Sequence, residues 1–157
     1  MCTLNICIDI DGTITMPISN LDKGNRFSSY SNAKTREKAD EIINILFKFH
    51  NIFMITERDK SFELLTNQYL NYYHIPYNKV IFLENKDKES IATEKKCDIF
   101  IEYCYEDALK IAEKNIKVLL ISDDVNIASS NNIITVSNWI EIYKFINNYA
   151  MKKEGII

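Results

Sequence analysis

At 157 residues, with 46% hydrophobic and 26% charged side chains and a formal net charge of −3, the chain has the make-up of one soluble domain. That balance excludes a chain-wide basic field for nucleic acid or an anionic membrane, and no uncharged apolar run approaches the roughly 20 residues of a membrane span. Its three glycines, Gly12, Gly24 and Gly155, cannot write a G-x-G-x-x-G dinucleotide loop or a P-loop.

The first element is an apolar run over about residues 4–10 that leads into Asp9-Ile10-Asp11-Gly12-Thr13. Two carboxylates at this spacing on a strand share a face and repel each other. From Ile14 to Lys34 the chain is polar and turn-rich, with Pro17 and Gly24, and reads as a loop. A helical pattern begins at Thr35, with Ala39, Ile42, Ile43, Leu46 and Phe49 on one face. The run Asn51–Thr56 is a second strand. A second helix follows, with Phe62, Leu65, Tyr69 and Tyr72 on its inner stripe, and Pro76 breaks the chain before a third strand at Lys79–Leu83.

The alternation continues through a short Lys- and Glu-rich helix, a strand at Asp98–Glu102 and a helix carrying Ala108, Ile111 and Ala112. Strands at Ile116–Ser122 and Asn132–Val136 precede a last helix with Trp139, Ile142, Tyr143, Ile146 and Tyr149 on one side. Continuous β-branched strands alternating with helices predict a parallel sheet covered on both faces, an α/β fold in a single domain spanning 1–157. The four cysteines, Cys2, Cys7, Cys97 and Cys104, form no C-x-x-C pair. With no basic flank and long apolar core at the N-terminus, they point to reduced thiols in a cytoplasmic chain.

In an open parallel sheet, ligands bind beyond the C-terminal strand ends. The first strand ends in Asp9 and Asp11, the second in Thr56-Glu57-Arg58, the fourth in Glu102 and the fifth in Asp123 and Asp124, while Lys86 and Lys88 follow the third. Carboxylates, a hydroxyl and a lysine on one rim suit a phosphate ester with a divalent cation. Read singly, each has a plainer role: Thr56 as a helix cap, Lys88 as a solvated charge, Arg58 as a salt-bridge partner, and Asp123 and Asp124 as loop acids.

The D-x-D-G-T box after an apolar strand resembles motif I of the haloacid dehalogenase (HAD) phosphatase superfamily. "FMIT" is similar to its second motif, and Lys88 to the lysine expected before the fourth strand. "CDIFIEYCYEDALKIAEKNIKVLLIS" resembles the last motif of the 5′(3′)-deoxyribonucleotidases and related bacterial nucleotidases. The resemblance implies a three-layer α/β/α Rossmann-like fold and a Mg²⁺-dependent phosphomonoesterase acting through an aspartyl-phosphate. It implies Asp9 as nucleophile and Asp11 as general acid and base. Asp9, Asp11 and Glu102 would be the metal ligands, and Gly12, Thr13, Thr56 and Lys88 the phosphate-binding residues.

Two departures qualify what the resemblance implies. Where relatives carry two adjacent acids, this chain has Glu102-Tyr103, and a phenol is a poor ligand for a hard cation. Glu106 and Asp107 lie nearby as weaker substitutes. Residues 14–34 are also too few for a packed helical cap, so the expected site is open and minimally capped. Such a site takes a nucleotide or another small phosphate ester, has room for a larger phosphorylated substrate, and leaves room for a lid lent by a second subunit. The alternative reading is a catalytically weak or inactive phosphate-binding or regulatory protein of the same fold.

Overall fold

A computed structural model describes residues 2–18, 25–124, 130 and 132–156. Among them, six strands form one parallel sheet: β1 (Asn5–Asp9), β2 (Asn51–Thr56), β3 (Lys79–Phe82), β4 (Ile99–Glu102), β5 (Lys117–Ile121) and β6 (Ile133–Val136). Their spatial order is β3-β2-β1-β4-β5-β6. β1 is therefore central, with the chain winding outward first to one side and then to the other. The crevice at its C-terminal end is the switch point where such sheets bind ligands.

Side-chain alternation sorts the two faces. Ile6, Ile8, Ile52, Met54, Ile99, Ile101 and Leu119 pack with α2 (Ala39–Phe47) and α6 (Trp139–Lys153). Cys7, Ile55, Phe100, Val118 and Leu120 pack with α4 (Lys88–Glu94) and α5 (Tyr105–Ala112). These are the three layers expected from the sequence. The same parity puts Asp9 and Glu102 on the face of Cys7 and Phe100, where α4 and α5 lie. It puts Thr56 on the opposite face, with Ile52 and Met54.

The helix ends follow local chemistry. Asp87 caps α4 by accepting from the Ser90 N–H at 2.8 Å, which starts that helix at Lys88. Asn138 caps α6 through the Glu141 N–H at 3.0 Å, and the Glu141 carboxylate reaches back to the Ser137 N–H at 2.8 Å. α6 is thereby anchored with Trp139 fully buried, its indole Nε1 donating to the Thr13 carbonyl at 3.1 Å.

Three sequence expectations are corrected. The piece from Ile14 to Lys34 is not all loop: Arg26–Ser31 forms a short helix, α1, which packs on α3 (Glu63–Tyr72) and buries Tyr30. Gly24 lies outside the described residues. Phe49 lies beyond the end of α2 and is 48% exposed, because the helix stops at Phe47 and the chain turns into β2. Tyr72, in the last turn of α3, is 76% exposed; the stripe reaches the core at Tyr69 and Leu70. Among the described residues no helix is long and apolar enough to cross a membrane.

Candidate active site

Beyond Asp9 the chain leaves the sheet through a tight turn. The Ile10 carbonyl accepts from the N–H groups of Thr13, Ile14 and Thr15 at 2.9–3.2 Å. Gly12 takes φ +83°, a left-handed conformation that suits glycine. Its N–H donates to Thr15 Oγ1 at 3.1 Å and its carbonyl accepts from Arg36 Nε at 2.8 Å. Thr13 Oγ1 donates to Asp9 Oδ2 at 3.3 Å. Gly12 and Thr13 thus build the turn that presents the two aspartates.

Asp9 is buried, and Lys88 Nζ lies 3.5 Å from its Oδ1. The same ammonium stands 3.0 Å from Glu102 Oε2, 2.8 Å from Asp107 Oδ2 and 3.9 Å from Glu57 Oε1. Because α4 begins at Lys88 beneath the rim, this lysine, which could pass for a solvated charge in the sequence, becomes the hub of the acidic cluster. Burial, followed by the Glu102 carboxylate, pushes Asp9 well above the usual carboxylate range, against the pull of Lys88. Burial also raises Glu102, opposed chiefly by Lys88. For Lys88 itself burial disfavours the charge, but Asp9 and Glu102 outweigh it and hold the ammonium above its ordinary value.

Asp11 turns to the other side. Both of its oxygens accept from Arg58, Oδ2 from Nε at 2.9 Å and Oδ1 from Nη2 at 2.6 Å, a bidentate charge-assisted pair. Arg58 is 2% exposed. Its Nη1 donates to Thr66 Oγ1 at 3.1 Å, its backbone N–H to Thr56 Oγ1 at 3.1 Å, and its guanidinium lies over the Tyr30 ring at 4.1 Å. Thr56 is buried, and in this structure its hydroxyl anchors Arg58.

Asp9, Asp11, Arg58, Lys88, Glu102 and Tyr103 line one cavity of about 330 Å³, joined by Arg26 and Tyr30 from α1 and by Glu57, Cys104 and Asp107. A larger depression of about 470 Å³ runs along the edge strand β3 and shares no residue with it. Asp123 and Asp124, both exposed after β5, do not line the cavity. Tyr30 and Arg26 were not legible as site residues, because the helix that carries them has no apolar periodicity. Arg36 was also missed; it holds Gly12 from three residues before α2, and its Nη2 is buried without a partner among the described residues.

The donor set limits how a divalent cation would be held. Among the described residues no three His, Cys, Asp or Glu side chains group as a metal site. Glu102 is fully buried and engaged: Oε1 accepts from the Tyr103 and Cys104 N–H groups at 2.9 and 3.0 Å, and Oε2 faces Lys88. Tyr103 brings its ring against Gly12 and adds no carboxylate. Of the expected ligands that leaves Asp9, since the Asp11 carboxylate is paired with Arg58. Mg²⁺ fits so sparse a set, since it keeps several waters and takes one or two carboxylates with substrate phosphates. The acids around Asp9 supply the negative field that such a cation relieves.

No protein-family model matches the chain. A nucleotidase of Clostridium acetobutylicum is 31% identical over 189 residues, covering 98% of both chains. That alignment is longer than this chain, so the relative carries residues this chain lacks. A haloacid dehalogenase-like hydrolase of Streptococcus pneumoniae superposes with a TM-score of 0.68 at 12% identity, covering 92% of this chain and 98% of its own. A magnesium-bound HAD hydrolase of Bacillus subtilis gives a TM-score of 0.68 at 8% identity, with 92% and 99% covered. These two likenesses describe the fold.

Proposed function

This chain belongs to the nucleotidases of the haloacid dehalogenase-like hydrolases, and on that premise we propose that it is a Mg²⁺-dependent phosphomonoesterase acting on nucleotides or similar phosphate esters. The observation that carries the reading is the buried Asp9 at the tip of β1, 3.5 Å from Lys88 in a cavity shared with Asp11.

In the proposed reaction Asp9 attacks phosphorus, forming an aspartyl-phosphate as the bond to the leaving oxygen breaks. Asp11 donates the proton that the departing oxygen takes up. It then accepts one from the water that attacks the phosphoryl group and regenerates the Asp9 carboxylate. Lys88 holds Asp9 and the incoming phosphate oxygens with one positive charge. The Thr56 hydroxyl accepts from the Arg58 N–H and so steadies the residue that holds Asp11. Mg²⁺, held by Asp9 and the Asp11 carbonyl, would supply charge that offsets the repulsion between carboxylate and phosphate.

A second reading is favoured by Tyr103 and by the full engagement of Glu102: a phosphate-binding protein of this fold whose cation site is too weak for turnover. One assay separates the two. Hydrolysis of an aryl phosphate and a panel of nucleoside monophosphates is measured with and without Mg²⁺ for the wild type, Asp9→Asn and Tyr103→Asp. The enzyme reading expects Mg²⁺-dependent wild-type turnover that Asp9→Asn abolishes. An inert wild type that gains activity as Tyr103→Asp supports the second reading.

A further inference from the structure

We propose that Tyr30, on the short helix between β1 and α2, is a positioning residue for the reaction, acting on Asp11 through Arg58. The inference rests on the reading of Asp9 and Asp11 given above.

The connection is continuous. Tyr30 is buried, wedged edge-on against Phe62 with ring centroids 5.1 Å apart and planes 83° apart. Its ring lies under the Arg58 guanidinium at 4.1 Å. A guanidinium chelates both oxygens of a carboxylate only when its plane is set, and an aromatic ring beneath it sets that plane. Thr66 Oγ1 takes the third side-chain nitrogen, Nη1, at 3.1 Å. The fork is thus oriented by α3 from one side and by α1 from another, and both its remaining arms point at Asp11.

Asp11 needs such a guide. It lies two residues beyond β1, outside the ladder that fixes Asp9, and its side chain is 28% exposed. With Tyr30 truncated, Arg58 keeps Thr66 but loses the surface that fixes its plane, and the Asp11 carboxylate gains rotamers. The segment is too short to enclose the cavity as a cap, yet through Tyr30 it sets the geometry of the acid–base residue.

An aryl phosphate separates the two half-reactions. When Asp9 forms its bond to phosphorus and the bond to the aryl oxygen breaks, the phenolate departs without needing a proton. Water then attacks phosphorus and gives its proton to Asp11 as the bond to Asp9 breaks. Only this second step depends on how Asp11 is turned, so a misplaced Asp11 makes phosphorylated Asp9 accumulate.

The test measures kcat, KM and the acid-quenched fraction of phosphorylated Asp9 for wild type, Tyr30→Leu, Tyr30→Phe and Arg58→Lys, with thermal melts alongside. Tyr30→Phe, which keeps the ring, should stay within about twofold of wild type. Tyr30→Leu should lose about tenfold to a hundredfold in kcat with KM falling alongside, so that kcat/KM stays within about twofold, and with a higher phosphorylated fraction. Arg58→Lys, which keeps charge and ring but removes the fork, should do the same, and it stands in if Tyr30→Leu does not fold. Wild-type kcat in Tyr30→Leu would overturn the inference, as would a matching fall in kcat/KM without added phosphorylated Asp9. A wild type that turns over with no phosphorylated Asp9, or not at all, would instead remove the underlying reading, and this inference with it.

Discussion

The Tyr103 ring lies against Gly12, so close that a Cβ added at position 12 would stand 2.5 Å from the ring's Cδ1. Two demands meet at this glycine: the left-handed φ of +83° and the contact with the residue that replaces an expected acid. Gly12→Ala should lose about 1–3 kcal/mol in urea unfolding, from backbone strain and the displaced ring. Removing the ring as well, in Gly12→Ala/Tyr103→Ala, should recover the steric part and leave the backbone part. Equal losses with and without the ring would place the whole cost in the backbone.

Lys88 is the countercharge for buried acids, so Lys88→Met should cost about 3–5 kcal/mol at neutral pH, as expected when one partner of a buried ion pair is removed. The pH dependence has a definite sign. Asp9 and Glu102 are raised in the folded state, so the folded chain holds their protons more tightly than the unfolded one. Their contribution is most favourable below the unfolded carboxylate values and is lost as pH rises through the folded ones. Without Lys88 that trend steepens, and Lys88→Met should recover part of its deficit as pH falls from 7 toward about 5. Thermal melts across that window check this; a deficit that does not change with pH would contradict it.

Attack by Asp9 requires its carboxylate form. Since burial and then Glu102 raise it, the acid limb of the kcat/KM profile should lie above the usual carboxylate range. Glu102→Gln removes the second of these causes and frees Lys88 for Asp9, so the limb should move to lower pH. Burial remains, so the move is partial. A limb that moves to higher pH in Glu102→Gln would contradict the assignment.

Tyr103→Asp adds a carboxylate at the cavity wall beside the turn that carries Asp11. The concentration of Mg²⁺ giving half-maximal turnover should fall by about tenfold, because one more oxygen ligand favours a hard cation. A Mg²⁺ titration of the hydrolysis rate reads this directly. An unchanged midpoint would mean that position 103 does not face the cation.

The sheet was legible in the sequence because six apolar runs alternate with helical stripes, and their parity assigns each strand residue to a face. Asp9 and Asp11 stood out because paired acids ending a buried strand have no use in packing. What escaped was whatever depends on contacts far along the chain. That Glu102 would give its oxygens to Lys88 and to two N–H groups of its own loop follows from where α4 and α5 begin, not from the order of residues. Arg58 was visible as a candidate for pairing, but its partner, 47 positions earlier, was not. The polar helix bearing Tyr30 has six residues and a single buried one, too little periodicity to betray a role.

The most direct test is to quench the wild-type chain in acid during turnover of an aryl phosphate with Mg²⁺ and to weigh the peptide containing residues 9 and 11. A phosphoryl group on Asp9, absent from Asp9→Asn, is the predicted result. Sustained hydrolysis with that peptide unmodified, and with Asp9→Asn as active as wild type, would contradict the account.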